Sequence, residues 1–161
     1  MAKTSSGKET PARKAARVAE RLREPTVYVE SSALLAALLE GDASAIQRMR
    51  AADRLVTSAL TFAEANRALA RARVSGRLSE AEERDAIRGL LTFRRRCEIV
   101  DVSDEVLVRA GRPFPIEPIR TLDAIHIATA ELLGEPPQVV MFVTRDKRVS
   151  ENARSLGYLI G

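Results

Sequence analysis

TVYVE at residues 26–30 and VVMFVT at residues 139–144 decide the fold. Each is a short β-branched run with hardly any polar alternation, the pattern of a strand covered on both faces in a parallel sheet. Three further runs read the same way: RLVT (54–57), EIVDV (98–102) and YLI (158–160). Helical stretches separate them. Residues 31–52 and 58–75 are rich in alanine and leucine and read as two helices. Ser79 with Glu82 makes a capping box, Ser103 opens SDEVLVRAG, Thr121 opens TLDAIHIATAELLG, and Gly134 and Gly157 follow helix ends. GRPFPIEP (111–118) reads as an ordered turn without helix. The alternation predicts an α/β fold, a three-layer sandwich with a central parallel sheet and helices on both faces.

A chain of 161 residues, 45% of them hydrophobic, suits one domain with a substantial core. Cys97 is the single cysteine, so no internal disulfide forms. No apolar run approaches the ~18 residues of a membrane span, and the polar, basic N-terminus lacks the apolar stretch of a secretory signal. The expected compartment is the cytoplasm. The net charge of +4 is confined to residues 1–24, where seven Lys and Arg face three Glu. It therefore describes a basic extension over residues 1–25, with MAKTSSGKET disordered and PARKAARVAERLRE a short helix, on an electrically balanced domain over 26–161. With four Phe, two Tyr and no Trp, the chain is poorly equipped to bind single strands by base stacking.

Four acids interrupt apolar stretches. Glu30 closes TVYV, Glu64 lies inside ALTFAEANRAL, Asp123 inside TLDAIHIATA, and Asp146 just beyond VVMFVTR. In open α/β sheets ligands bind beyond the carboxyl ends of the strands, where strand order reverses. Glu30 and Asp146 follow strands there, while Asp123 and Glu64 occupy early helical turns. Leu60, Glu64 and Ala68 share one helix face, as do Asp123, Ile127 and Ala130, so both carboxylates interrupt inward-looking stripes. Arg67 is one turn from Glu64 and within pairing reach. Carboxylates gathered in a partly desolvated cleft repel one another and must take up protons or a cation, for which Mg²⁺ or Mn²⁺ is the usual hard partner. The expected chemistry is metal-assisted phosphodiester hydrolysis.

VYVESSALLAALL, TSALTFAEANRAL, LDAIHIATA and FVTRDKRVSENARSLGY, in that order and spacing, resemble a PIN domain of the VapC toxin type. The resemblance covers residue 26 to the C-terminus. It implies a metal-dependent ribonuclease, the toxin of a type II toxin–antitoxin pair, held inactive by an antitoxin that covers the acidic cleft and commonly assembled as a homodimer. Here the helices of 31–52 and 58–75 would supply the dimer surface. Carried over by position, Glu30, Glu64, Asp123 and Asp146 are the catalytic, metal-binding acids, and Ser32 and Thr144 the accompanying hydroxyls.

The family nearly always has aspartate where this chain has Glu30. The extra methylene lengthens the reach by ~1.5 Å, and Mg²⁺ demands near-ideal octahedral geometry at roughly 2.0–2.1 Å. The expected consequence is activity below that of a Glu30→Asp protein. The competing reading is a catalytically impaired RNA-binding or protein-interaction module; a third is a nuclease acting on DNA. Arg94, Arg95, Arg96, Arg120, Arg145 and Arg148 are candidates for phosphate contacts. His126 reads as a packed, hydrogen-bonded histidine on the apolar helix face rather than a chemical group, and Cys97 as core packing.

Overall fold

The computed structural model describes residues 26–161, so the expected basic extension, residues 1–25, lies outside the described residues. Five strands form one sheet: β1 (Thr26–Val29), β2 (Arg54–Ser58), β3 (Glu98–Val100), β4 (Val140–Val143) and β5 (Leu159–Ile160). Their order is β3-β2-β1-β4-β5, and every pairing is parallel, as the apolar runs predict. β3 stops two residues short of the expected end. Val139 belongs instead to a 3₁₀ turn, Pro137–Val139, that leads into β4.

The helices are α1 (Ser31–Leu35), α2 (Ala43–Ala51), α3 (Ala59–Val74), α4 (Glu80–Arg96), α5 (Asp104–Ala110), α6 (Thr121–Glu131) and α7 (Lys147–Ser155). Successive strand side chains point to opposite faces, and β1 shows the consequence. Val27 and Val29 pack with Leu34, Met49, Leu69 and Leu90 from α1 to α4. Tyr28 packs on the other face with Val106, Ile127 and Val149 from α5, α6 and α7. Two cores on one sheet make the three layers. Cys97 packs against the first core, where burial pushes its thiol up to about 11.

The helix expected over 31–52 is broken. After α1 the chain widens into one π-type turn, Ala36–Glu40, and ends at Gly41 in the left-handed region, φ 65°. Asp42 then caps α2, accepting from the Ala45 N–H at 3.0 Å. A glycine past one helix end followed at once by a capping acid is a stop-and-restart signal, which the alanine–leucine composition around it obscured. The other local signals behave as expected. Ser79 Oγ accepts from the Glu82 N–H at 3.3 Å while the Glu82 carboxylate accepts from the Ser79 N–H at 2.8 Å. The 111–118 segment carries no helix and is tied by Glu117, which accepts from the N–H groups of Phe114 and Ile119.

The chain winds from β1 outward through β2 to β3, then returns to the other side of β1 for β4 and β5. Strand order therefore reverses between β1 and β4. Val29 is in register with Val143, and the Glu30 N–H donates to the Val143 carbonyl at 3.0 Å. Pairing thus continues to the residue that leaves the sheet, and Glu30 emerges beside Thr144.

Candidate functional site

Glu30 follows β1, caps α1 and is only 4% exposed. A carboxylate so buried needs donors, and it has four. Oε1 accepts from Ser31 Oγ at 2.6 Å; Oε2 accepts from the Ser32 N–H at 3.0 Å, from Thr144 Oγ1 at 2.9 Å and from Ser32 Oγ. The longer side chain thus curls back onto the start of its own helix. Since three donors converge on Oε2, Oε1 retains capacity for a further partner, and His126 Nε2 lies 3.9 Å from it.

Glu64 stands at the border of the buried stripe of α3, which is Thr61, Phe62, Ala65, Leu69 and Ala72. Leu60 and Ala68 are only half-buried, so the face assigned to Glu64 is the rim of the stripe rather than its centre. Its partner is His126, whose Nε2 is 2.6 Å from Oε2, and not Arg67. Burial raises the Glu64 carboxyl, but the His126 hydrogen bond and charge, helped by Ser31 and Arg71, outweigh it and hold the group below its ordinary value.

His126 is 1% exposed, on the stretch of α6 from Ala124 to Ala130 that is buried throughout. The packed, hydrogen-bonded histidine expected there is present, with Nδ1 3.2 Å from the Tyr28 hydroxyl. Its other nitrogen, however, reaches the acids. Glu30, Glu64 and His126 each offer a ligand atom within 4.8 Å of the others, a grouping able to hold a metal ion. The signal that could have found His126 is its place one helical turn after Asp123, on the same face.

Asp123 lies in the first turn of α6. Its Oδ2 is buried and has no hydrogen-bond partner among the described residues. Its carboxyl is raised above its ordinary value, first by burial and then by the negative charge of Asp146, with Glu30 adding to it and Arg120 opposing. Asp146 caps α7, where Oδ1 accepts from the N–H groups of Arg148 at 2.8 Å and Val149 at 3.1 Å. Thr144 ties the two strand ends together, donating to Glu30 and accepting from the Asp146 N–H at 3.0 Å. Ser32 Oγ accepts from the Arg145 N–H at 2.8 Å. Crowded carboxylates, one with a buried orphan oxygen, fit a hard divalent cation.

The arginines sort differently from the sequence expectation. Arg94 lies over the Phe62 ring at 4.7 Å, and Arg96 donates to the carbonyls of Arg50 and Ala52. Arg145 is engaged by Asp42, whose carboxyl it draws down to about 2, and by the carbonyls of Thr144 and Gly161. These three are structural. Arg120 and Arg148 do border the site, lining a groove of about 360 Å³ with Asp146 and Lys147. Arg67 and Arg71, not singled out as phosphate contacts, line a groove of about 410 Å³ that reaches Glu64 and Ser31.

A family model described as PIN domain matches residues 27–155. The protein Ribonuclease VapC46 of Mycobacterium tuberculosis (strain ATCC 25618 / H37Rv) is 36% identical over 137 residues, 83% of this chain and 95% of the relative. Ribonuclease VapC35 of Mycobacterium tuberculosis (strain CDC 1551 / Oshkosh) is 32% identical over 138 residues, 83% of this chain and 94% of the relative. Among solved structures, VapBC2 from Rickettsia felis bound to a DNA fragment from their promoter matches 84% of this chain and 97% of that chain. The TM-score is 0.59 at 14% identity, a likeness of fold.

Proposed function

The chain belongs to the PIN-domain family, and on that premise we propose that it is a metal-dependent endoribonuclease, the toxin of a toxin–antitoxin pair. The observation that carries the reading is the gathering of acids at the β1–β4 crevice, where Asp123 keeps a buried oxygen without a partner among the described residues and feels the charges of Asp146 and Glu30.

Glu30, Glu64, Asp123 and Asp146 would hold Mg²⁺ or Mn²⁺. A cation held there would supply charge neutralisation at the scissile phosphate and would acidify a water for phosphodiester hydrolysis. Ser31, Ser32 and Thr144 hold the Glu30 carboxylate in one orientation, and His126 does the same for Glu64. A polyanionic substrate needs cations on its approach to so acidic a centre. Arg67 and Arg71 beside Glu64, and Arg120, Lys147 and Arg148 beside Asp146, are placed to hold phosphates on either flank of the cut. The scarcity of aromatics makes backbone charge and RNA shape the expected basis of recognition.

The relatives are named ribonucleases, and the Rickettsia felis structure is of a VapBC pair. We therefore extend the proposal to a cognate antitoxin, a homodimer and action in the cytoplasm; among the described residues no helix is long and apolar enough to cross a membrane.

The test is cleavage of labelled structured RNA with Mg²⁺ or Mn²⁺, against EDTA and against matched DNA. Metal-dependent cutting of the RNA alone is expected; equal cutting of both would reassign the substrate. Restoring aspartate at position 30 is expected to raise Mg²⁺-dependent cleavage several-fold, with a smaller gain under Mn²⁺, whose geometric demands are looser. Metal binding without cleavage in both versions would favour the RNA-binding or interaction module instead.

A further inference from the structure

His126 is a buried polar group with both ring nitrogens engaged, one by a residue of the acidic crevice and one by a residue of the core. Nε2 meets Glu64 Oε2 at 2.6 Å and Nδ1 meets the Tyr28 hydroxyl at 3.2 Å. The three residues come from α6, α3 and β1, so the imidazole joins a helix on one face of the sheet to a helix on the other through a central strand. Tyr28 is wholly buried, and burial keeps its hydroxyl protonated. With an Nε2–H donated to Glu64, Nδ1 is left to accept from the Tyr28 hydroxyl.

We infer that His126, fixed by Tyr28, is a positioning residue of the nuclease: by holding Glu64 Oε2 it keeps the other Glu64 oxygen for the cation and sets Glu64 beside Glu30. The inference rests on the reading of the crevice as a metal-dependent nuclease site. A packing role alone would not require Nε2 to donate to the one carboxylate of α3 that borders the crevice. Nor would it require a tyrosine hydroxyl, itself beside Thr129, to meet Nδ1. Carboxylates and histidines that support metal ligands in this way typically change affinity by ~10–100-fold when removed.

The measurement is Mn²⁺ affinity of the RNA-free protein, by electron paramagnetic resonance of free Mn²⁺, with thermal melts in EDTA and steady-state cleavage for each variant. Glutamine places an amide near the position of Nε2, asparagine near that of Nδ1. His126→Gln is therefore expected to stay within about threefold of the parent, and His126→Asn to lose ten-fold or more in Mn²⁺ affinity. Cleavage kcat should fall alongside it while KM for RNA holds. Tyr28→Phe, which leaves the ring but frees Nδ1, is expected to lose about two- to five-fold. Equal losses in the glutamine and asparagine variants, or unchanged affinity in folded His126→Asn, would overturn the inference while leaving the nuclease standing. If His126→Asn does not fold, unchanged affinity in Tyr28→Phe overturns it. A parent that binds no Mn²⁺ at all removes the nuclease reading, and the inference with it.

Discussion

Glu30 and Glu64 are held by side-chain donors, Ser31, Ser32 and Thr144 on one carboxylate and His126 on the other, whereas Asp123 and Asp146 receive no side-chain donor among the described residues. Asp146 commits Oδ1 to the first amides of α7, and Asp123 leaves Oδ2 buried with no partner among the described residues. The pKa directions follow: Glu64 is drawn down by His126 against burial, and Asp123 is pushed up by burial and by Asp146. The halves differ because donors stabilise the ionised form and their lack leaves desolvation and repulsion uncompensated. On the proposed reading the first pair is a prepared wall of the site, and the second is where a cation relieves the most strain.

Asp123→Asn probes the unsatisfied half most directly and carries the largest expected effect. Cleavage should fall by at least about 100-fold, the upper end of what supporting residues produce. Stability should move the other way. A carboxyl whose folded pKa is raised binds its proton more tightly in the fold, so its contribution is favourable below the ordinary carboxylate value and lost as pH rises through the folded one. At neutral pH the ionised group costs stability, and the amide removes that cost. Because Asp123 is still partly open to solvent, the rise in Tm in EDTA should be only roughly 1–3 °C. A drop in Tm would mean that Asp123 is already satisfied and that the two halves do not differ.

Asp146 separates ligation from capping. Asp146→Asn and Asp146→Ala should both lose cleavage, but asparagine still caps α7 while alanine does not. The alanine variant should therefore be less stable by ~1 kcal/mol, seen as a Tm lower by roughly 2–4 °C. Equal melting of the two would show that the Oδ1 bonds to Arg148 and Val149 add nothing to the fold.

The smallest effect is expected from a carboxylate outside the comparison. Asp42 is held at about 2, first by its hydrogen bond from Arg145 and then by the Ala45 amide. A depressed folded pKa gives stability that is complete above the unfolded value and fades as pH falls through the folded one. The stability difference between the parent and Asp42→Asn should accordingly be constant above 3.8 and narrow between there and about 2. Denaturant midpoints over that range measure it. A difference that does not change with pH would mean that the Arg145 pair is not what sets the carboxylate.

What the sequence by itself determined is what depends on neighbours a few residues apart. The β-branched runs marked all five strands and their parallel pairing, Ser79 with Glu82 marked the start of α4, and the acids after β1 and β4 marked the edge of the sheet where the proposed site lies. Even the break at Gly41 was written locally, in a glycine followed by a capping aspartate, and was missed only because alanine and leucine continue the helical composition on both sides. Tertiary structure alone decided which atoms those residues meet. His126 and Glu64 are 62 residues apart and Tyr28 and His126 are 98 apart, so no periodicity could pair them. Arg94 and Arg96 look like phosphate contacts by charge but are drawn onto Phe62 and onto two carbonyls, while Arg67 and Arg71 line the groove at Glu64. The buried oxygen of Asp123 is likewise no property of the stretch TLDAIHIATA. Exclusion of water from a carboxylate is produced by whatever packs around it, and here that is assembled from strands and helices the chain brings together only on folding.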